Sequence, residues 1–424
     1  MPQILKVASS QSRTLSTTSE TLRALEATAK RAASQHIDII LFPEAYLGGY
    51  PRSCTFGNAV GGRSSEGRDQ FLHYFHAAVD LGDTPHGAGD AWLNKTLPVA
   101  ADKKIRGDGT REELERIARE TGVFIVTGLV ERSAGTLYCG VVYVCPKLGV
   151  LGKRRKVMPT GSERMIWGQG KAETLKAVTT EIRGVRVCLA SAICWENYMP
   201  LLRQALYSQN VNLWFAPTAD ARDTWASLMR TVGIEGRCFV VSANQCIRKK
   251  HLPGWITGKK EEEEDDVGPL TNGISEHAPH SISERPEHGR GRRRSTITIT
   301  EDKHEICWPI VEGQPASNGD SSAIDSSPHP PPPTASSILS KPVVQPSSGD
   351  DEDFACRGGS CIISPMGEVL AGPLWEIEDG GLIVTEVDLE DCERGRLDLD
   401  VAGSYSRMDS FHLTVDGLDL NPPP

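Results

Sequence analysis

The strongest constraint on this chain is a series of short apolar runs that recur between stretches of helical spacing. Residues 37–42, 123–130, 185–193, 211–215 and 239–243 carry almost no charge. Apolar runs of this length, closed by turn or polar residues, read as buried strands. Between them the period changes. Over 18–34, Leu22, Leu25, Ala29, Ala32 and Ala33 share one helical face, with Thr17, Thr18 or Ser19 in position to cap its start. A second helix is expected over about 112–120, closed by Gly122. Further helices are expected near 200–208 and 225–235. Residues 137–144, a turn at 146–149 and Leu151 read as a hairpin. Strands that alternate with helices and also pair in hairpins give an α/β protein with mixed strand direction.

The pattern lapses over 258–355. That stretch holds an acidic run (261–266), a basic run (289–294) and a proline run (328–333), with few apolar side chains to offset chain entropy. It reads as a disordered insertion, within which 295–311 alone has the β-like alternation of a stretch that orders locally. Strand signals return with 360–364, a turn at 365–367, then 368–371 and 382–387. The expected organisation is one folded domain made of residues 1–257 and 356–412, interrupted by 258–355, with 413–424 as a tail.

Bulk properties exclude several function classes. A formal net charge of −10 argues against nucleic acid or an anionic membrane surface as the main partner. No stretch approaches the roughly 20 apolar residues that span a bilayer. No targeting segment is visible, so a soluble cytoplasmic protein is the expectation. The 11 cysteines are scattered without a C-x-x-C pair, and in a reducing compartment each is by default a small buried hydrophobe.

One cysteine has local support for more. The run 185–193 ends at Cys194, and Glu196, Asn197 and Pro200 then open a helical pattern. A thiol at a strand-to-helix turn lies beside backbone N–H groups, which lower its pKa and supply donors for an anion. A nucleophilic thiol also needs a base or a cation. Histidine is poorly placed for this: 5 of the 11 lie in the insertion. Glu44 ends the run 37–42 after Pro43, and a carboxylate there is costly unless paired or used. Lys156 follows the hairpin, and Glu163 lies seven residues on. The plain alternatives are one more cation in the basic run 153–156 and a surface pair of Glu163 with Arg164. Together the four suit one reaction. Glu44 takes the thiol proton and returns it to nitrogen, Lys156 and the Trp195 N–H stabilise developing charge, and Glu163 orients Lys156. No metal or organic cofactor is required.

These residues lie in longer motifs: FPEAYLGGYPR (42–52), GKRRKVMPTGSERMIWGQG (152–170), CWENYMPLLR (194–203), APTADARDTW (216–225), IEGRCFVVSANQC (234–246), GGSCIISPMGEVLAGP (358–373) and DLDVAGSYSRMD (398–409). In this order they resemble the nitrilase branch of the carbon–nitrogen hydrolase superfamily, over nearly all the chain except 258–355. The resemblance implies a four-layer α-β-β-α sandwich that pairs through its outer helices, so a homo-oligomer, dimer or larger. It implies catalytic Glu44, Lys156, Glu163 and Cys194. It also implies a small-molecule nitrile as substrate, hydrolysed through a thioimidate and a thioester to a carboxylic acid and ammonia. Tyr50 and Trp167, each close to an active-site residue in sequence, are the better candidates for the pocket wall; Tyr198 and Trp225 are divided between wall and core.

Trp195–Glu196 after the nucleophile resembles nitrilases, where amidase branches usually carry an aromatic–Asp pair. Cyanide hydratases tend to have His where Asn197 stands. Trp195 and Glu196 therefore favour nitriles over amides and Asn197 favours organic nitriles over cyanide, with cyanide hydratase or amidase chemistry at the same site as the alternative. Three departures stand out: Ser404 where the family often has His, Cys139 where Asn is common, and little chain after the last motif. They leave the chemistry untouched and weaken the expectation of long filaments. A different class of reading, a non-catalytic assembly protein, requires that the four residues not converge.

Overall fold

A computed structural model of the chain describes residues 3–59, 62–94, 104–257, 295–299, 305–309 and 352–420. It divides into two compact units, residues 1–261 with 350–424, and residues 262–349. In the second unit the described segments Ser295–Ile299 and Glu305–Pro309 form an antiparallel pair, inside the stretch whose β-like alternation suggested local order. The rest of the expected disordered insertion, apart from 352–355, lies outside the described residues.

The first unit is built on two sheets. The first has the order β13-β1-β2-β3-β4-β5, with β1 Ile4–Gln11, β2 Ile39–Leu41, β3 Phe124–Ser133, β4 Thr136–Cys145, β5 Gly149–Arg155 and β13 Gly381–Asp388. The second has the order β10-β11-β9-β8-β7-β6, with β6 Val178–Ile182, β7 Val185–Ser191, β8 Leu213–Thr218, β9 Phe239–Asn244, β10 Cys246–Arg248 and β11 Phe354–Ile363. β12, Val369–Trp375, pairs with β11. Parallel pairs β1–β2–β3 and β7–β8–β9 form the centres, and antiparallel partners flank them, which is the mixed direction expected.

Why the central runs are apolar throughout follows from alternation. Ile39 and Leu41 join the core between the two sheets, while Ile40 between them joins an outer core. Leu213 and Phe215 face inward in the same way, and Trp214 faces out. Each strand is thus buried on both faces, where fully burying a Val, Leu or Ile is worth about 1.5–3 kcal/mol.

Helices cover the outer faces. On the first sheet lie α1 Thr18–Ser34 and α3 Thr110–Thr121, with α2 Ser65–Ala77 between them in sequence. α1 starts at a capping box: Thr17 accepts from Glu20 N, and Glu20 accepts from Thr17 N. Leu25, Ala29 and Ala32 face inward. α3 ends at Gly122 with φ 72°, the left-handed cap expected there. On the second sheet lie α4 Pro200–Tyr207 and α5 Thr224–Gly236, which contribute Leu206 and Met229 to the third core. The layers run helix, sheet, sheet, helix.

One boundary differs from the sequence reading. β11 begins at Phe354, inside the stretch expected to be disordered. Its first residues pair with β10, Cys356 opposite Ile247 and Phe354 opposite Arg248. The polar sequence before it hides this, because ion pairs Lys249–Asp353 (2.9 Å) and Lys250–Glu352 (2.5 Å) tie the two ends together rather than apolar contacts.

Candidate active site

The site lies where strands of both sheets end. Glu44 follows β2, whose pairing with β3 continues through Phe42 N to Val126 O. The turn passes so close to β3 that a Cβ on Gly128 would stand 2.2 Å from the Pro43 carbonyl, so this position needs glycine. Lys156 follows β5, its N–H held by Cys139 O on β4 at 2.7 Å. Glu163 sits in the 3-10 turn Gly161–Met165. Cys194 opens the 3-10 turn Cys194–Tyr198 after β7.

The four residues singled out in sequence converge. Lys156 Nζ donates to Glu44 Oε1 and to Glu163 Oε2, each at 2.7 Å. Lys156 and Glu44 are fully buried, and Glu163 and Cys194 nearly so. Glu163 is also fixed by Thr160 N (2.8 Å) and by the Tyr50 hydroxyl (2.8 Å to Oε1), so it has no partner in Arg164, which instead donates to Gly161 O. The Cys194 thiol lies near enough to the Glu44 carboxyl for each to oppose negative charge on the other. Glu44 Oε2 meets no donor in full hydrogen-bond geometry among the described residues. A buried carboxylate oxygen left without a donor is costly, and is a natural proton acceptor.

Electrostatics follow from two carboxylates sharing one ammonium. Burial raises the Glu44 pKa, Lys156 offsets part of this and Glu163 adds to it, leaving it at about 6. Burial alone would lower Lys156, but Glu44, Cys194 and Glu163 outweigh it and hold the ammonium charged. Burial, then the Glu44 carboxylate, push the Cys194 thiol up, so the resting pair is a neutral thiol beside an ionised Glu44 near neutral pH. This differs from the lowered thiol expected of a strand-to-helix turn, because like charges and burial exceed the pull of the turn's N–H groups.

The turn carrying Cys194 is strained and tightly held. Cys194 has φ 50°, a left-handed conformation costing on the order of 1–3 kcal/mol for a side chain of this kind. Glu196 secures it. Its carboxylate takes Ile193 N (2.8 Å), Val157 N (2.6 Å) and both Nη atoms of Arg154 (2.7 Å each). One side chain thereby links the residue before Cys194 to the residue after Lys156. Asn197 Nδ2 donates to Ala192 O and Cys194 O, and Trp214 Nε1 donates to Asn197 Oδ1. The Glu196 and Asn197 side chains are therefore committed to protein partners, and their discriminating signal is architectural.

The aromatic candidates divide. The Tyr50 hydroxyl touches Glu163, and its ring meets Trp167 edge-on at 5.6 Å. Trp167 is buried under Lys156, 5.7 Å from Nζ, with its Nε1 on the Tyr74 hydroxyl. The Trp195 indole turns to Asp220 (2.9 Å) with Arg222 over its face, while its backbone N–H stays in the first turn after Cys194. Trp225 is core, bonded to Ser242, and Tyr198 is exposed.

Two contacts escaped the sequence reading. The Thr218 hydroxyl, at the end of β8, donates to Cys194 Sγ at 3.3 Å. The Cys139 thiol donates to Glu44 Oε1 at 3.6 Å. Only the strand-end position of Thr218, next to the strand that leads to Cys194, hinted at the first.

The family model described as Carbon-nitrogen hydrolase matches residues 6–396. The Arylacetonitrilase of Trametes versicolor (strain FP-101664) is 35% identical over 384 residues, covering 89% of this chain and 85% of that protein. Nitrilase 1 of Arabidopsis thaliana is 34% identical over 385 residues, covering 91% of this chain and 79% of that protein. The crystal structure of a carbon–nitrogen hydrolase from Helicobacter pylori G27 matches with a TM-score of 0.53 at 12% identity, covering 96% of this chain and 97% of that chain, a likeness of fold. With its four layers and its motifs accounted for, the chain belongs to the nitrilase branch of the carbon–nitrogen hydrolase superfamily.

Proposed function

We propose that this protein is a nitrilase, hydrolysing an organic nitrile to a carboxylic acid and ammonia with Cys194 as nucleophile. The observation that carries this reading is Lys156, clasped at 2.7 Å by both Glu44 and Glu163 beside a buried cysteine. In this reading Glu44 takes the thiol proton as sulfur bonds to the nitrile carbon, and passes it to nitrogen to give a thioimidate. Lys156 and the Trp195 N–H stabilise the charge that develops. Water adds to the thioimidate, the C–N bond breaks, and ammonia leaves a thioester. A second water releases the acid and returns the thiol. Tyr50 holds Glu163, and Trp167 forms the floor beneath Lys156.

The same reading extends to assembly and location. Leu201 on α4 and Leu397 are exposed, and the 396–401 segment is tied to α4 and the residues just after it through Gln204–Val401 and Arg396–Asn210 hydrogen bonds. Exposed leucines on and beside an outer helix suit pairing of two copies. The 10 cysteines whose side chains are described are all free, which suits the cytoplasm, and no helix among the described residues is long and apolar enough to cross a membrane.

The test is a panel of phenylacetonitrile, an aliphatic nitrile and cyanide, with ammonia, acid and amide all measured. Equimolar acid and ammonia from an organic nitrile is the expected result. Amide alone would assign hydration instead, turnover of cyanide alone would assign a cyanide hydratase, and no product would refute the enzyme.

A further inference from the structure

We propose that Thr218 is a further catalytic residue, whose hydroxyl donates to the Cys194 sulfur each time that sulfur carries negative charge. The inference rests on the nitrilase reading of Cys194. Thr218 is the last residue of β8 and fully buried, with Oγ1 3.3 Å from Sγ. A hydroxyl has one proton and two lone pairs. Here the oxygen accepts the Asp220 N–H at 3.0 Å, which fixes the rotor from behind and leaves the proton directed at sulfur.

The donor behind it is itself anchored. The Asp220 carboxylate is held by Arg222 (Nη2 2.8 Å, Nε 3.0 Å) and by Trp195 Nε1 (2.9 Å). The Asp220 carbonyl takes Asn244 Nδ2 at 2.8 Å, on the strand that pairs with Thr218. The Trp195 indole thus serves the nucleophile indirectly, through Asp220 and Thr218.

The need for such a donor follows from what surrounds the sulfur. Glu44 and Glu163 both oppose negative charge there, and Lys156 is shared between those two carboxylates. Thr218 brings a neutral donor that no carboxylate competes for. As the S–C bond forms, the sulfur proton goes to Glu44 while Thr218 keeps its own. When the second water attacks the thioester, Glu44 takes a proton from it; as the C–S bond breaks the bonding pair returns to sulfur, Thr218 donates again, and Glu44 gives that proton to the thiolate.

The experiment compares wild type, Thr218→Val, Thr218→Ser and Cys194→Ala. Turnover is read as acid and ammonia, and the reactivity of Cys194 as its rate of alkylation by iodoacetamide, followed by mass spectrometry of the Cys194 peptide. Thr218→Val should lose about 10–100-fold in kcat and in alkylation rate, the range for a hydrogen bond to a charged group, with KM changed less than about threefold. Thr218→Ser should restore both to within about threefold. A valine variant that matches wild type in both, or a serine variant that restores neither, overturns the proposal. A packing role alone would lower thermal stability and leave alkylation unchanged, which also overturns it. If the valine variant does not fold, Thr218→Ala is set against Thr218→Ser by the same criteria. Turnover surviving in Cys194→Ala would instead refute the nitrilase reading itself.

Discussion

Four consecutive basic residues, Lys153 to Lys156, serve two opposite faces of one strand, and the two faces differ in charge balance. On one face, Lys153 and Arg155 meet Asp83 and Glu131: Lys153 Nζ lies 2.6 and 2.5 Å from them, and Arg155 Nε lies 2.7 Å from Glu131. Two cations face two carboxylates. On the other, Arg154 is matched by Glu196, which leaves Lys156 alone to face both Glu44 and Glu163. The carboxyl groups respond in opposite directions. Burial raises Asp83, but Lys153 and the N–H groups of Ala88 and Thr84 outweigh it and hold it below its usual value. Glu44 is instead raised to about 6, and one of its oxygens lacks a donor. Residue types alone therefore do not mark a reactive site; an unbalanced, unsatisfied cluster beside a thiol does.

Taking one lysine from each face separates their roles. Lys156→Met should lower turnover by at least about 10³-fold, since it removes a charge-stabilising donor and leaves two buried carboxylates without a cation. Lys153→Met should leave turnover within about tenfold, because Arg155 still answers Glu131. Equal losses in kcat would show that the two faces are not distinct.

Glu44→Gln removes the proton acceptor and should cost about 10²–10⁴-fold in kcat. Its effect on stability should be the reverse of that expected for a structural ion pair. The folded protein raises Glu44 from 4.5 to about 6. The group therefore favours folding fully below pH 4.5, and that contribution is lost as pH rises through about 6. At pH 7.5 ionised Glu44 is a burden, so Glu44→Gln should melt no lower than wild type. A marked fall in Tm would mean that its role is structural.

Glu196→Gln tests the link between the two faces of the site. It leaves Arg154 buried without a counter-charge and should cost about 3–5 kcal/mol in denaturant unfolding. The smallest effect is one of pH. If Glu44 must be ionised to accept the proton, kcat/KM should fall as pH drops through about 6, tenfold per unit below it. A profile flat down to pH 5 would remove Glu44 as the base.

The sequence announced its local structure well. Residues 18–34 and Gly122 stand as their spacing and cap chemistry required, and Cys194 lies at the strand-to-helix turn its flanks suggested. What local pattern could not carry is long-range. Periodicity alone could not divide the 153–156 run between two faces, nor show that Glu196 joins Ile193 to Val157. The pairing of two sheets came from the family resemblance rather than from spacing. Cys139 and Thr218 reach the site from 95 and 24 residues away from their partners, and neither carries a charge; the motif 216–225 that holds Thr218 does not by itself say which side chain meets Cys194. The onset of β11 was hidden because ion pairs rather than apolar residues hold it.

The central claim is that Cys194 bonds covalently to the substrate carbon. It is tested most directly by rapid acid quench during turnover of phenylacetonitrile, followed by mass spectrometry of the cysteine-bearing peptides. The account predicts an acyl adduct on the Cys194 peptide that rises and decays with turnover. An adduct on another cysteine, or turnover with none at any quench time, would contradict it.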